Sequence, residues 1–144
     1  TSGMEDYLEM IYRNMEKEGY MRINTLSKFL NVKPSSATKM VQKLANLGLV
    51  NYQKYGIIFL TDYGKKYGKF LLERHNVVEK FLTNIGITEN LLAETELIEH
   101  NISKNTMQSI DLLNKFLEAN PDIISEFRKF KEIQISKDHP SSPA

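Results

Sequence analysis

The sequence contains no cysteine. That absence excludes a disulfide scaffold, a thiolate zinc finger, an iron–sulfur site and a cysteine nucleophile. Long apolar runs are missing too. No stretch approaches the ~18 residues of a bilayer-spanning helix, and no basic segment followed by an apolar one opens the chain as a secretion signal would. A soluble, cytoplasmic protein with no membrane partner is expected on those grounds. An excess of one charge sign is also lacking, since the net charge is only +1. With 41% hydrophobic and 26% charged residues the composition is that of a folded chain, which excludes wholesale disorder. Its 144 residues suffice for one compact domain, or two small ones sharing a core.

The small net charge conceals a division. Residues 1–74 carry twelve Lys/Arg against seven Asp/Glu, a net of +5, whereas residues 75–144 carry seven against eleven, a net of −4. Between Arg22 and Arg74 ten basic residues meet only two acidic ones, Asp62 and Glu73. A basic block followed by an acidic one suggests one part that meets a polyanion and another with a different task. A random fluctuation of surface charge gives the same arithmetic.

Apolar periodicity predicts a first helix over residues 4–17, with Tyr7, Leu8, Ile11, Tyr12 and Met15 on one face and Gly19 as its stop. A short helix over 23–30 follows, with Asn24 as N-cap and Leu26, Phe29 and Leu30 turned inward. After the turn at 31–33, Pro34 suits the first position of a third helix, and Ser35 or Ser36 is a candidate cap. Met40, Val41 and Leu44 form its inner face, and Gly48 ends it. Two strand-like runs, 49–53 and 57–60, flank Lys54-Tyr55-Gly56 as a tight hairpin. Thr61 then caps a long helix over 62–85. Gly64 and Gly68 in its first turns each lower helix propensity by about 1 kcal/mol relative to Ala, which implies a packing reason for them. Helices over 88–101, 103–118 and 121–132 complete the pattern. Residues 137–144, with two prolines and no periodicity, read as a disordered tail. The expected organisation is a domain over 1–70, a helical domain over 71–136, and the tail.

Three helices, the last two joined by a short turn and followed by a hairpin, make a winged helix-turn-helix pattern. The fold class is therefore mainly α. The third helix offers Ser35, Ser36, Thr38, Lys39, Gln42 and Lys43 as polar or basic side chains. Such groups address base edges and phosphates of double-stranded DNA. Ala37 is small enough to approach a thymine methyl, and Lys54 and Tyr55 on the wing are candidates for the sugar-phosphate backbone. A helical hairpin with a solvated polar face is the plainer alternative.

A second constellation lies downstream. Glu96, Glu99 and His100 stand at i, i+3 and i+4, which at about 100° per residue places them on one stripe. Asp6 and Glu9 are one turn apart on the first helix, and His75 is midway along the long one. Like charges at that spacing repel unless a cation sits among them. Carboxylates and imidazoles without sulfur suit harder cations such as Mn²⁺ or Fe²⁺. From spacing alone a solvated acidic helix face is the favoured reading, and a winged-helix regulator without a metal stays open. A zinc protease is disfavoured, because Glu-x-x-Glu-His lacks the two-histidine helix motif. No acid, base or nucleophile is left over for an enzyme.

Met4-Glu5-Asp6-Tyr7 with Glu9, Pro34-Ser35-Ser36 with Thr38 through Leu44, Leu60-Thr61 with Gly64-Lys65-Lys66, Arg74-His75, and Glu96 with Glu99-His100 occur in order. In this the chain resembles the diphtheria-toxin-repressor family of metal-dependent repressors, most of all its manganese transport regulator branch. The resemblance implies an N-terminal winged helix-turn-helix followed by an all-helical dimerisation domain. It also implies a homodimer on a palindromic operator, repressing metal-uptake genes. It further implies that Asp6, Glu9, His75, Glu96, Glu99 and His100 hold two Mn²⁺ ions per subunit where the domains meet. Iron-sensing relatives carry Met and Cys at the positions of Asp6 and Glu96, so the two acids favour manganese, with an Fe²⁺-responsive repressor as the alternative. Those relatives add a third, SH3-like domain where this sequence stops. Asn101 departs from the branch, which has a second histidine there.

Overall fold

The computed structural model describes residues 2–15 and 18–138. Along the chain it runs α1 (Ser2–Met15), β1 (Met21–Arg22), α2 (Ile23–Leu30), α3 (Pro34–Asn46), β2 (Val50–Gln53), β3 (Ile57–Leu60), α4 (Asp62–Asn84), α5 (Leu91–Glu99), α6 (Lys104–Ala119) and α7 (Pro121–Asp138). Internal contacts divide it into two compact units between Glu73 and Arg74, within α4 and three residues beyond the expected boundary.

The first unit is a winged helix-turn-helix. Tyr7, Leu8, Ile11 and Met15 of α1 pack with Leu26 of α2, with Ala37, Val41 and Leu44 of α3, and with Val50, Ile58 and Leu60 of the sheet. Its antiparallel strands are ordered β1-β3-β2, with Val50 opposite Leu60 and Gln53 opposite Ile57. β1 has no counterpart in the sequence reading, since two residues are too few to show alternation. Its pairing of Met21 with Ile58 and Arg22 with Ile57 carries the chain straight from a strand into α2. Arg22 is therefore the N-cap, and Asn24, expected to cap, lies inside the helix. Phe29 is also corrected: it is 53% exposed. The inner stripe runs through Ile23, Leu26, Ser27 and Leu30, roughly a third of a turn away.

Pro34 opens α3, but the N-cap is Lys33 with no side-chain capping bond, so neither Ser35 nor Ser36 caps. They already stand in the first turn. Gly48 takes the left-handed conformation past the end of the helix (φ +76°), as its position suggested. The wing closes over Lys54–Gly56, with Tyr55 at φ +66° and Gly56 at φ +73°.

Thr61 caps α4 as expected, its Oγ1 accepting from the Gly64 N–H at 3.0 Å and donating to the Gly48 carbonyl at 2.6 Å. The two α4 glycines have the packing reason that their propensity cost implied. A Cβ on Gly64 would fall on the Leu49 carbonyl oxygen, and one on Gly68 would come within 2.7 Å of Tyr12 Cβ.

The second unit comprises the C-terminal part of α4 with α5, α6 and α7. Ser103 caps α6, its side chain accepting from the Thr106 N–H. α5 is shorter than the expected 88–101, because left-handed residues at Gly86 (φ +90°) and Asn90 (φ +54°) turn the chain before it. α7 is longer than expected and carries Lys137 and Asp138, which the sequence reading gave to the disordered tail. The rest of that tail, residues 139–144, lies outside the described residues. α7 is tied to the end of α4, where Arg128 Nη2 donates to the Thr83 carbonyl (3.3 Å) and Lys131 Nζ to that of Ile85 (3.0 Å). Cations there also complement the helix dipole.

The buried residues of this unit are mostly polar. Val78, Leu82 and Met107 are its buried apolar side chains, alongside Arg74, His75, Thr95, Glu99 and Asn114. Asn114 is satisfied, donating to the Val77 carbonyl (3.0 Å) and accepting from Asn84 Nδ2 (3.3 Å). No helix among the described residues is long and apolar enough to cross a membrane.

Candidate metal centre and nucleic-acid interface

α3 presents Ser35, Ser36, Lys39, Gln42 and Lys43 on its exposed side. Thr38 is half-buried, and its Oγ1 donates to the Pro34 carbonyl at 2.9 Å, leaving acceptor lone pairs outward. Ala37 is corrected. It is fully buried, on the same stripe as Val41 and Leu44, and cannot meet a thymine methyl. Lys54 and Tyr55 stand at the wing tip, where Tyr55 is 91% exposed. An aromatic ring that exposed contributes nothing to the core.

The second unit gathers His75, Glu96, Glu99 and His100. Glu96, Glu99 and His100 offer ligand atoms within 4.8 Å of one another. The structure buries Glu99 to 2% exposure and His75 to 5%. Glu99 addresses a different imidazole with each oxygen. Its Oε2 lies 2.9 Å from His75 Nδ1, and its Oε1 lies 3.5 Å from His100 Nε2. Arg74 Nη2 donates to His100 Nδ1 at 3.1 Å. Asp6 and Glu9 stand one turn apart on α1, in the first unit, where Glu9 pairs with Arg13 at 2.9 Å.

The donors fit a divalent cation. Burying a carboxylate beside a second one is costly without positive charge to offset it. His75 makes the same point, for Glu79 Oε2 lies 3.1 Å from its Nε2 while Glu99 occupies Nδ1. A neutral imidazole donates through one nitrogen only, so two carboxylate neighbours call for a positive charge at the ring or beside it. Oxygen and imidazole donors without sulfur suit Mn²⁺ or Fe²⁺. Sequence reasoning overlooked Glu79, although its i, i+4 spacing from His75 was there to be read. It also assigned no role to Arg74.

Residues 1–58 match the family description "Iron dependent repressor, N-terminal DNA binding domain", and residues 61–128 match "Iron dependent repressor, metal binding and dimerisation domain". The chain belongs to the iron dependent repressor family. It is accordingly a DNA-binding transcriptional regulator with a metal-binding and dimerisation domain, and it is not an enzyme. The HTH-type transcriptional regulator MntR of Lysinibacillus sphaericus is 42% identical over 132 residues, 91% of this chain and 95% of that one. MntR of Bacillus subtilis is 40% identical over 140 residues, 96% of each. Among solved structures, a manganese-dependent transcriptional repressor in complex with manganese superposes with a TM-score of 0.69 at 31% identity. That match covers 78% of this chain and 53% of the other, so this member spans about half the length of that repressor.

Proposed function

We propose that this protein is a manganese-responsive repressor in which Asp6 and Glu9 of α1 join His75, Glu96, Glu99 and His100 to hold two Mn²⁺ ions per subunit. The observation that carries the reading is Glu99, buried with one oxygen turned toward each of two imidazoles and a second carboxylate alongside. A bound divalent cation supplies the positive charge that lets these carboxylates stand together. The six side chains, drawn from α1 and from the second unit, then fix the DNA-binding units of a homodimer relative to each other. Two α3 helices held at the spacing of successive major grooves, about 34 Å, read a palindromic operator. Without that constraint, binding selects a minor conformation and loses affinity accordingly. Repression of metal-uptake genes in the cytoplasm follows from that logic. An iron-responsive regulator is the competing reading, and Asp6 and Glu96 disfavour it, standing where the iron-sensing relatives of the resemblance carry Met and Cys.

Operator affinity measured with and without Mn²⁺, Fe²⁺ and Zn²⁺ at one fixed salt concentration tests the proposal, because salt alone moves such affinities by orders of magnitude. Mn²⁺ should tighten binding most at the free concentrations a cell maintains. Equal affinity with and without every metal would leave a winged-helix regulator with no metal site.

Lys39 is exposed on α3, and Lys39→Ala should weaken operator binding, reduce the salt slope by about one and leave Mn²⁺ affinity unchanged. Calorimetry showing weakened metal binding in that variant would mean the two functions are not separable in this way.

For the homodimer interface we propose the α6 face formed by Leu112, Leu113 and Phe116, which are 65%, 43% and 52% exposed. Phe116→Glu should shift sedimentation from dimer toward monomer at micromolar protein. An unchanged dimer would move the interface elsewhere.

A further inference from the structure

A cavity of about 570 Å³ opens on the first unit, lined from the C-terminal half of α1, the end of β3 and the start of α4. Tyr12, Met15 and Leu60 contribute apolar surface to it, and Lys65, Lys66 and Lys69 contribute charge. Size and make-up are those of a small-molecule site, which is concave, mostly apolar and supplied with a few polar groups. Met15 and Leu60 belong to the buried core, so this surface is part of the packed fold. The contact of α1 with α4 beside it is close, since a Cβ on Gly68 would come within 2.7 Å of Tyr12 Cβ.

The three lysines are exposed, and their side chains make no ion pair with a described residue. Lys65 and Lys69 form an i, i+4 pair on one side of α4, where like charges repel. They lie near the start of the helix, whose dipole adds positive potential. No carboxylate is among the described residues lining the cavity. An anionic group placed there relieves the repulsion.

We propose that this cavity binds a single-chain amphiphile with an anionic head, of the fatty-acid class. Its tail covers Tyr12, Met15 and Leu60, and its head is held by Lys65, Lys66 and Lys69. The ligands already assigned to the regulator do not suit both halves of the site. A DNA phosphate would use the lysines and leave the apolar surface in water, and a divalent cation would be repelled by them. A nucleobase would set polar edges against Met15 and Leu60 without partners, which is costly.

The test is calorimetry of the full-length protein with octanesulfonate and decanesulfonate, below their micelle concentrations. These probes pair an alkyl tail with a fixed negative charge. Each added methylene should tighten binding about 4-fold, so decanesulfonate should bind about 15-fold better than octanesulfonate. Uncharged 1-decanol should bind about 10-fold more weakly than decanesulfonate, and so should decanesulfonate to the triple variant Lys65→Gln, Lys66→Gln, Lys69→Gln. With methyl-labelled methionine, decanesulfonate should shift the Met15 NMR signal at one equivalent. That readout and the chain-length series need only the wild type, so they hold whatever the triple variant does to folding.

No saturable binding, or binding that ignores both chain length and head charge, would overturn the proposal. So would a decanesulfonate site that leaves Met15 unmoved and is blunted by Phe116→Glu, since the tail would then lie on the exposed apolar face of α6. Lysine-dependent sedimentation with phosphatidylglycerol vesicles, without binding of the free sulfonates, would make the patch a membrane contact instead and would equally sink the cavity.

Discussion

Mn²⁺-stimulated operator binding is lost in Glu99→Ala, while the circular dichroism of the metal-free protein stays that of a folded helical chain. The expectation follows from geometry, since the Glu99 carboxylate approaches both His75 and His100. Its loss removes an oxygen from each imidazole's neighbourhood at once. Replacing an outer partner of a metal ligand costs about 10- to 100-fold in affinity, so a residue within the donor set should cost more than the upper end of that range. Fluorescence anisotropy with labelled operator, titrated with Mn²⁺ at fixed salt, measures the effect. His100→Ala should behave similarly. A Glu99→Ala protein that still tightens on its operator when Mn²⁺ is added would dismantle the site assignment.

Gly64→Ala should destabilise the protein, against the usual gain of about 1 kcal/mol when alanine replaces glycine inside a helix. The new methyl would land on the Leu49 carbonyl oxygen. That oxygen cannot simply retreat, because it accepts from the Thr61 N–H and lies within reach of Thr61 Oγ1, both at 3.1 Å. Overpacking costs about 1–3 kcal/mol, and a lost backbone hydrogen bond adds about 1 kcal/mol. The net expectation is a loss of about 2 kcal/mol, read as a lower urea midpoint with unchanged slope. Gly3→Ala is the control. There the nearest atom to a new Cβ is Met40 Cε at 3.8 Å, an ordinary contact, so the propensity gain should survive. A Gly64→Ala protein as stable as the wild type would mean the α4 start yields more readily than this packing allows.

Much of the architecture could be read from the residues because local signals and tertiary packing agree. The step of three and four through Leu8, Ile11 and Met15, Pro34 opening α3, Gly48 closing it and Thr61 capping α4 each act within a few residues of themselves. What escaped the sequence depends on distant partners. β1 exists only through its pairing with Ile57 and Ile58, and that same pairing moved the α2 cap from Asn24 to Arg22. Ala37 was misread because small size suits both a groove and a tight core, and only packing against the rest of the first unit decides between them. In the metal centre, the stripe of Glu96, Glu99 and His100 was evident from helical spacing. Glu79 was passed over because an exposed i, i+4 acid has many solvated counterparts, and the orientation of a neighbouring imidazole is not written in spacing.

The sparse interior of the second unit sets a further condition on the molecule. Three buried aliphatic or thioether side chains stand against ten large apolar ones left exposed between Leu92 and Ile135. At about 25 cal/mol per Å² of apolar surface removed from water, so few buried groups are a weak basis for a free-standing fold. A fragment beginning near Arg74 and expressed without the rest should be adhesive, bind hydrophobic dyes and clump at modest concentration. With the dimer interface proposed on α6, holding its shape and finding its twin draw on one and the same greasy surface.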